Sequence, residues 1–181
     1  GYTVKEYDKS NHDAYEKPPI YNFEMHVSLF PGTYKERTEQ YENAKERLLP
    51  VDGTAYQFAF TPEDFYVFVL AHAYKHYSHS GTGIRTLADI YVMDLGGIMD
   101  RDEVEQKLTQ LGIAEYEQHS RVLAEKLFSA VRPLAEIELT EDEKEMLLYY
   151  CDATTYGTVD NRVNNRLHEL QENSENIKLW T

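Results

Sequence analysis

The sequence predicts an α+β fold in which a small antiparallel β element is followed by a helical bundle. Residues 2 to about 30 are rich in aromatic and β-branched side chains that alternate with polar ones, as half-buried strands do. From Thr61 onward, apolar residues recur at helical spacing. The 181 residues, 41% of them hydrophobic, are enough to build one packed core. We therefore expect a β region with one helix over residues 1–60 and a helical region over 61–181 that shares its core.

The composition of the chain excludes several kinds of partner and cross-link. The formal net charge of −14 repels phosphate backbones and anionic bilayers, which argues against broad nucleic-acid binding and against a membrane partner. The single cysteine, Cys151, excludes an intrachain disulfide, so we expect a cytoplasmic protein with an inert, buried thiol. The chain opens on Gly1 without a signal segment, which favours a fragment of a longer protein.

Two strand-like runs are separated by Pro18 and Pro19, one over Thr3–Tyr7 and the other over Ile20–Phe30. Period-two geometry divides the second run into an apolar face (Tyr21, Phe23, Met25, Val27, Leu29) and a polar face (Asn22, Glu24, His26, Ser28). Glu24 and His26 should therefore project side by side from one rigid face. The alternative is that Glu24 is a solvated acid on an edge strand. A charged helix over Tyr34–Leu48 and a short strand or extended link over Thr54–Phe60 complete this region.

The helices are marked by their caps and apolar stripes. Thr61 should cap a helix that begins at Pro62, with Phe65, Phe68, Val69, His72, His76 and His79 along one stripe and Tyr66, Leu70, Tyr74 and Tyr77 along another. Asp100 and Thr140 should cap two later helices. The remaining helices are expected from apolar positions Ile84, Leu87, Ala88, Tyr91, Val92 and Leu95, from the segment 116–131, and from a polar segment over Val163–Leu170.

Two histidines, His72 and His76, are spaced i and i+4, which places both imidazoles on one side of a helix. A zinc-protease motif would need glutamate where Ala73 stands, so that reading fails. Three interpretations stay open: hydrogen-bonded core residues, substrate binding, and metal ligation together with Asp89. The sequence favours the first two.

The segment Gly81-Thr82-Gly83-Ile84-Arg85 opens a helix, where free N–H groups and the helix dipole attract an anion. Arg85 can bind a phosphate or carboxylate there, or can instead pair with Asp89 at i+4. Asp100-Arg101-Asp102 contains an Asp-x-Asp pair, but its first acid is better explained as a helix cap than as a metal ligand.

Several motifs in this order resemble one family. They are Gly1-Tyr2, His12-Asp13-Ala14-Tyr15, Pro18-Pro19, Phe23-Glu24-Met25-His26, Thr61-Pro62-Glu63-Asp64, Leu70-Ala71-His72-Ala73-Tyr74-Lys75-His76 and Gly83-Ile84-Arg85-Thr86-Leu87-Ala88-Asp89. This pattern is similar to the uncharacterised nucleotidyltransferase family of bacteria, within the polymerase-β-like nucleotidyltransferase superfamily. The resemblance extends from Gly1 to about Phe128.

The resemblance implies a mixed sheet with three carboxylates that hold two Mg²⁺ ions and a helical region behind it. Glu24 matches the third carboxylate, as catalytic residue and metal ligand, while the Gly-Ser turn and acidic pair that precede it in the family are absent. By resemblance, His26, His72, Lys75, His76, Arg85 and Asp89 line the site for the nucleotide or its acceptor. We expect the later part of a nucleotidyltransferase, inactive by itself. The alternative is a non-catalytic module whose acidic surface and tyrosines serve a protein partner.

Overall fold

The computed structural model describes residues 1–10, 12–26, 44–153 and 157–178. These residues form a three-stranded antiparallel sheet, a pair of short strands and six α-helices, which confirms the predicted α+β class. The chain divides into two compact units, residues 1–68 and 69–181, whose boundary falls inside the first helix. The shared core that the sequence suggested stays a prediction.

The sheet consists of β1 (Thr3–Glu6), β2 (His12–Lys17) and β3 (Tyr21–His26), in that order. β1 and β2 are joined by a turn in which the backbone N–H of Asp8 donates to Oδ1 of Asp13 over 2.8 Å. Pro18 and Pro19 lie in the next turn, joined by a cis peptide bond. β2 was not expected as a separate strand, because its sequence is mostly polar and offers little of the apolar alternation that marks a half-buried strand.

The register of β2 and β3 separates the two faces of the sheet as period-two geometry predicts. Ala14 lies opposite Glu24 and Tyr15 lies opposite Phe23, so the polar and apolar residues of β3 are on opposite faces. The apolar face is nevertheless open: Phe23 keeps 49% and Met25 keeps 62% of its surface exposed. Residues 27–30 of the predicted strand lie outside the described residues.

A second pair of strands, β4 (Leu49–Pro50) and β5 (Phe58–Ala59), precedes the first helix. It follows a 3-10 helix over Ala44–Arg47, which is the described end of the helix expected over Tyr34–Leu48. The earlier part of that predicted helix lies outside the described residues. Arg47 donates to the carboxylate of Asp64 over 2.9 Å, tying this segment to the start of the next helix.

Helix α1 (Pro62–His79) begins as expected, because the backbone N–H of Asp64 donates to Oγ1 of Thr61 over 3.1 Å. Its buried side contains Tyr66, Val67, Leu70, Ala71 and Ala73. The stripe that carries the histidines is the more open one, since Phe65, His76 and His79 are exposed. The helix therefore buries one side rather than several.

The helical unit continues with α2 (Arg85–Leu95), α3 (Arg101–Gln110), α4 (Ala114–Phe128), α5 (Glu141–Asp152) and α6 (Val159–Lys178). Its core includes Leu87, Ile90, Val104, Leu108, Leu123 and Tyr150. The predicted caps are present: Asp100 accepts from two backbone N–H groups, and Thr140 forms a full capping box with Glu143. The predicted apolar face of α2 is wrong in part, because Val92 and Leu95 are exposed while Ile90 is buried.

Tyrosines fill much of this core. The Tyr150 hydroxyl lies 3.0 Å from the hydroxyl of Tyr116 and 3.0 Å from that of Ser120. Burial raises the pKa of Tyr150 to about 12. Near the end of α1, the Tyr77 carbonyl accepts from the hydroxyl of Tyr149 over 2.7 Å. The hydroxyls of Tyr116 and Tyr150 therefore contribute to packing inside the helical unit.

Cys151 is exposed, so the prediction of a buried thiol was wrong. Cys151 follows Tyr150 on α5, and the completely buried ring of Tyr150 shows which face of this helix points into the core. The next residue along an α-helix points about 100° away. Cys151 accordingly lies toward solvent.

Candidate functional site

The carboxylate of Glu24 lies on the polar face of the three-stranded sheet, opposite Ala14 of the central strand. Glu24 is exposed, and Nδ2 of Asn22 donates to its Oε1 over 3.4 Å, a long hydrogen bond. Ala14 is 6% exposed and has a small side chain. The position therefore combines a rigid strand backbone with a carboxylate that is open to a ligand.

The same face carries an ion pair between Lys5 of β1 and Glu16 of β2, with 2.5 Å between Lys5 Nζ and Glu16 Oε1. The hydrogen bond to Glu16 raises the pKa of Lys5, and the charges of Glu16, Glu24 and Glu6 add to this increase. Lys5 thus lies in a negative field to which Glu24 contributes.

His26 shares this face with Glu24, as the sequence predicted, and it lies opposite His12 of β2. The two imidazole rings are 5.5 Å apart between centroids and tilted by 40°. His12 was named only within the family resemblance, and neither it nor Lys5 and Glu16 was expected beside Glu24. The signal that could have found all three is the register of β2, which requires recognising that strand.

In the helical unit, His72 and His76 of α1 meet directly. Their Nε2 atoms are 3.2 Å apart, and their rings are nearly perpendicular, with an interplanar angle of 87°. His76 is exposed and His72 is half-buried. Lys75 lies between them in sequence and is also half-buried.

Arg85 and Asp89 form the i,i+4 pair that was the alternative to an anion site. Nε of Arg85 is 3.9 Å from the Asp89 carboxylate, and the Arg85 side chain is 85% exposed. The N–H groups of Thr86 and Leu87 donate to the carbonyls of Gly83 and Ile84, so two donors of the first turn are already used. The geometry supports a helix start with a surface ion pair.

Gly81, at the beginning of that segment, has a packing role. Its φ of +96° belongs to the left-handed region, and a Cβ placed there would lie 2.5 Å from the Cβ of Ala153. Glycine is thus required for the close approach of the loop to the end of α5. The glycine-rich segment does not need a ligand to explain its composition.

A metal site was tested against the donor sets that the structure contains. Among the described residues, no group of three or more His, Cys, Asp or Glu side chains is arranged to hold a metal ion. Asp89 therefore does not join His72 and His76 as the metal-protein alternative required. Asp100, the first acid of the Asp-x-Asp pair, caps α3, as predicted, with its Oδ1 3.0 Å from the backbone nitrogen of Asp102.

Six of the seven predicted site residues are thus found as three pairs, each within one unit, and Lys75 lies next to His76 on α1. Glu24 and His26 share the polar sheet face, His72 contacts His76, and Arg85 pairs with Asp89. The described carboxylates do not by themselves supply the donor set of a two-Mg²⁺ centre. Within the described part of the chain, no helix has the length and apolar character required to cross a membrane.

A family model described as an uncharacterised nucleotidyltransferase matches residues 1–129, which contain the sheet, α1 and all the predicted site residues. No curated protein and no solved structure matches the chain. Because the model covers more than half of the 181 residues, the chain belongs to this uncharacterised nucleotidyltransferase family.

Proposed function

We propose that the protein to which this chain contributes transfers a nucleoside monophosphate from a nucleoside triphosphate to an acceptor, with Mg²⁺ as cofactor. Family membership supports a nucleotide substrate. The observation that carries the proposal is the exposed carboxylate of Glu24, held on a strand within the family-matched residues. The acceptor is left undefined.

Glu24 is proposed as one carboxylate ligand of the metal site. Mg²⁺ is bound in proteins through one or two carboxylates together with water and substrate phosphates, so a single open carboxylate on a rigid strand fits part of such a site. When bound, the metal neutralises the triphosphate. The other acidic ligands must come from outside the described residues, because these contain no suitable cluster.

The remaining polar residues are proposed to bind the nucleotide or its acceptor. His26 shares the face of Glu24, and the imidazoles of His72 and His76 offer donors and acceptors on an accessible side of α1. Lys75 and Arg85 provide positive charge for phosphate groups. Asp89, which pairs with Arg85 over 3.9 Å, orients that guanidinium in the absence of substrate.

The first test concerns the 181-residue chain alone. Because the resemblance assigns only one of the three metal-binding carboxylates, Glu24, to this chain, we expect no Mg²⁺-dependent transfer, measured as pyrophosphate release from ATP, CTP, GTP or UTP. The same assay on a longer form that also carries an acidic pair should show turnover. Release by the short chain would refute the assignment of the missing ligands.

The second test is Glu24→Gln in that longer form. The substitution keeps the shape of the side chain and removes its charge, so turnover should fall by roughly 100-fold or more while thermal stability changes little. Glu16→Gln is the matched control, because Glu16 lies on the same face of the sheet and pairs with Lys5. Full activity in Glu24→Gln, or equal losses in both variants, would remove the catalytic role of Glu24.

One observation favours a second candidate, a non-catalytic module that binds a protein. The apolar face of the sheet is open, with Val4, Phe23 and Met25 each about half exposed or more. A longer form that lacks the acidic pair and shows no nucleotide turnover would support this candidate. Turnover that depends on Glu24 would exclude it.

A further inference from the structure

His72 and His76 lie closer together than the helix spacing by itself requires. Residues four apart have Cβ atoms roughly 5–6 Å apart, and flexible side chains at that separation can point in different directions. Here the two Nε2 atoms converge to 3.2 Å, with the rings nearly perpendicular at 87°. The two Nε2 atoms are within hydrogen-bond distance, and the tautomer decides which of them is the donor.

The same separation suits two ligands of one metal ion. With metal–nitrogen distances of about 2.0–2.1 Å, two nitrogens 3.2 Å apart subtend an angle of about 100° at the metal. This value lies between the octahedral and tetrahedral angles. The separation of the two nitrogens therefore matches that of a chelating pair, and metal binding requires both Nε2 atoms to lose their protons and both rings to turn so that their lone pairs meet at the ion.

The helix turn that carries the pair is held in place. Ala71 and Ala73, adjacent to His72 in sequence, are 1% and 8% exposed. The Tyr77 carbonyl, one residue after His76, accepts from the Tyr149 hydroxyl over 2.7 Å and from Nδ2 of Asn165 over 3.3 Å. A fixed backbone reduces the entropy lost when a ligand binds both imidazoles.

Electrostatics at this position favours a cation. His76 belongs to the last turn of α1, where the negative end of the helix dipole attracts positive charge. The net charge of −14 also raises the local concentration of cations around the protein. Imidazole nitrogens prefer zinc, nickel or copper, whereas Mg²⁺ prefers oxygen ligands.

We propose that His72 and His76 form a binding site for a divalent transition-metal ion, with water in the other coordination positions. The site differs from the proposed Mg²⁺ site, which depends on the Glu24 carboxylate. It does not rest on the proposed nucleotidyl transfer, because binding is measured without nucleotide. The exposed position of His76 leaves room for the remaining ligands.

The test is isothermal titration of the untagged 181-residue chain with Zn²⁺ and, separately, with Ni²⁺. We expect one ion per chain at this site, and His72→Gln and His76→Gln should each weaken binding at least tenfold, the lower end of the effect of losing even outer-shell partners. His79→Gln, on the next turn of α1, and His12→Gln, in the sheet, should bind as the unmodified chain does. Circular dichroism melts without metal should coincide for all five proteins.

Two further readouts keep the proposal falsifiable. At one metal concentration, the metal should raise the melting temperature of the unmodified chain and of both controls clearly more than that of His76→Gln, because the stabilisation decreases as the affinity of the folded state falls. If His72→Gln fails to fold, the exposed His76→Gln variant decides the question. Absence of binding, unchanged affinity in His76→Gln, or an equal loss in either control would overturn the site.

Discussion

The three-stranded sheet and the helical unit stabilise themselves in different ways. In the sheet, Ala14 is buried while Val4, Phe23 and Met25 are about half exposed or more. In the helical unit, large side chains such as Tyr150 and Leu123 are completely buried. The helical unit has its own apolar core, whereas the described sheet exposes Glu24 on its polar face and Phe23 and Met25 on its apolar face.

The two regions therefore suit different roles: the side chains of the helical core serve packing, and those on the polar face of the sheet can bind a ligand. Residues of the helical core are constrained by neighbours on all sides, so their chemistry is used for stability, as the hydrogen bonds among Tyr116, Ser120 and Tyr150 illustrate. The polar face of the sheet places Glu24, Lys5 and Glu16 on a regular backbone without burying them. An open face with fixed spacing is well suited to bind a charged ligand, and its substitution should cost little stability.

The strongest test of the comparison is to remove an apolar side chain from each region. Leu123→Ala removes a completely buried side chain and should lower the free energy of unfolding by about 2–5 kcal/mol. Met25→Ala, at a residue 62% exposed, should change it by less than about 0.5 kcal/mol. Urea denaturation followed by circular dichroism measures both. Equal losses would show that the apolar face of the sheet is covered in the folded protein.

A smaller effect is expected from the hydroxyl of Tyr150. Tyr150→Phe leaves the buried hydroxyls of Tyr116 and Ser120 without this partner and should cost about 1–3 kcal/mol. Tyr56→Phe, at a residue 94% exposed, is the control and should be neutral.

The stability difference between the unmodified chain and Tyr150→Phe should also depend on pH in the alkaline range. Burial raises the pKa of Tyr150 to about 12, while an unfolded tyrosine ionises near ~10. The folded state then holds more protons than the unfolded state, so this contribution to stability is lost as pH rises from about 10 to 12. The advantage of the unmodified chain over Tyr150→Phe should shrink in that interval. An advantage that stays constant up to pH 12 would contradict the raised pKa.

The smallest expected effect concerns one ion pair from each region. Partial burial alone would raise the pKa of Glu143, but the hydrogen bonds from Lys126 and from the backbone of Thr140 outweigh it and lower the pKa. The lowered pKa therefore stabilises the fold at pH values above the pKa that Glu143 has in the unfolded chain. This stabilisation is lost as the pH falls through the pKa that Glu143 has in the folded chain. Glu143→Gln should cost about 1 kcal/mol or less at pH 7, and the difference should diminish in acid.

The matched change in the sheet is Glu16→Gln, which breaks the exposed pair with Lys5. It should leave the denaturation midpoint unchanged, because exposed ion pairs are screened by water and salt. Urea midpoints measured between pH 3 and 7 test both variants. A larger effect from Glu16 than from Glu143 would reverse the comparison.

Features determined within a few residues could be read from the sequence. Thr61, Asp100 and Thr140 cap helices as expected, because a cap needs only a side-chain oxygen and the N–H groups two or three residues later. Glu24 and His26 share a face because the side-chain period of a strand is two. The α+β class followed from the same local periodicities.

Features that depend on distant partners could not be read in this way. Spacing predicted that Val92 and Leu95 would be buried, but in the folded chain Ile90 is completely buried and those two residues are exposed. The polar strand β2 is stabilised by hydrogen bonds to β1 and β3, which its composition does not reveal. Because β2 was not predicted, the sequence could not indicate that His12 and Glu16 lie on the same face of the sheet as Glu24.

The sequence by itself determined the family, the α+β class, the caps and the residues that share a face, since each depends on residue identity and local spacing. The tertiary structure decided which apolar stripe is buried, that Gly81 packs against Ala153, and that His72 and His76 bring their Nε2 atoms to 3.2 Å. Helix spacing permits many side-chain rotamers at i and i+4, so the distance between the two imidazoles follows only from the three-dimensional arrangement of both side chains.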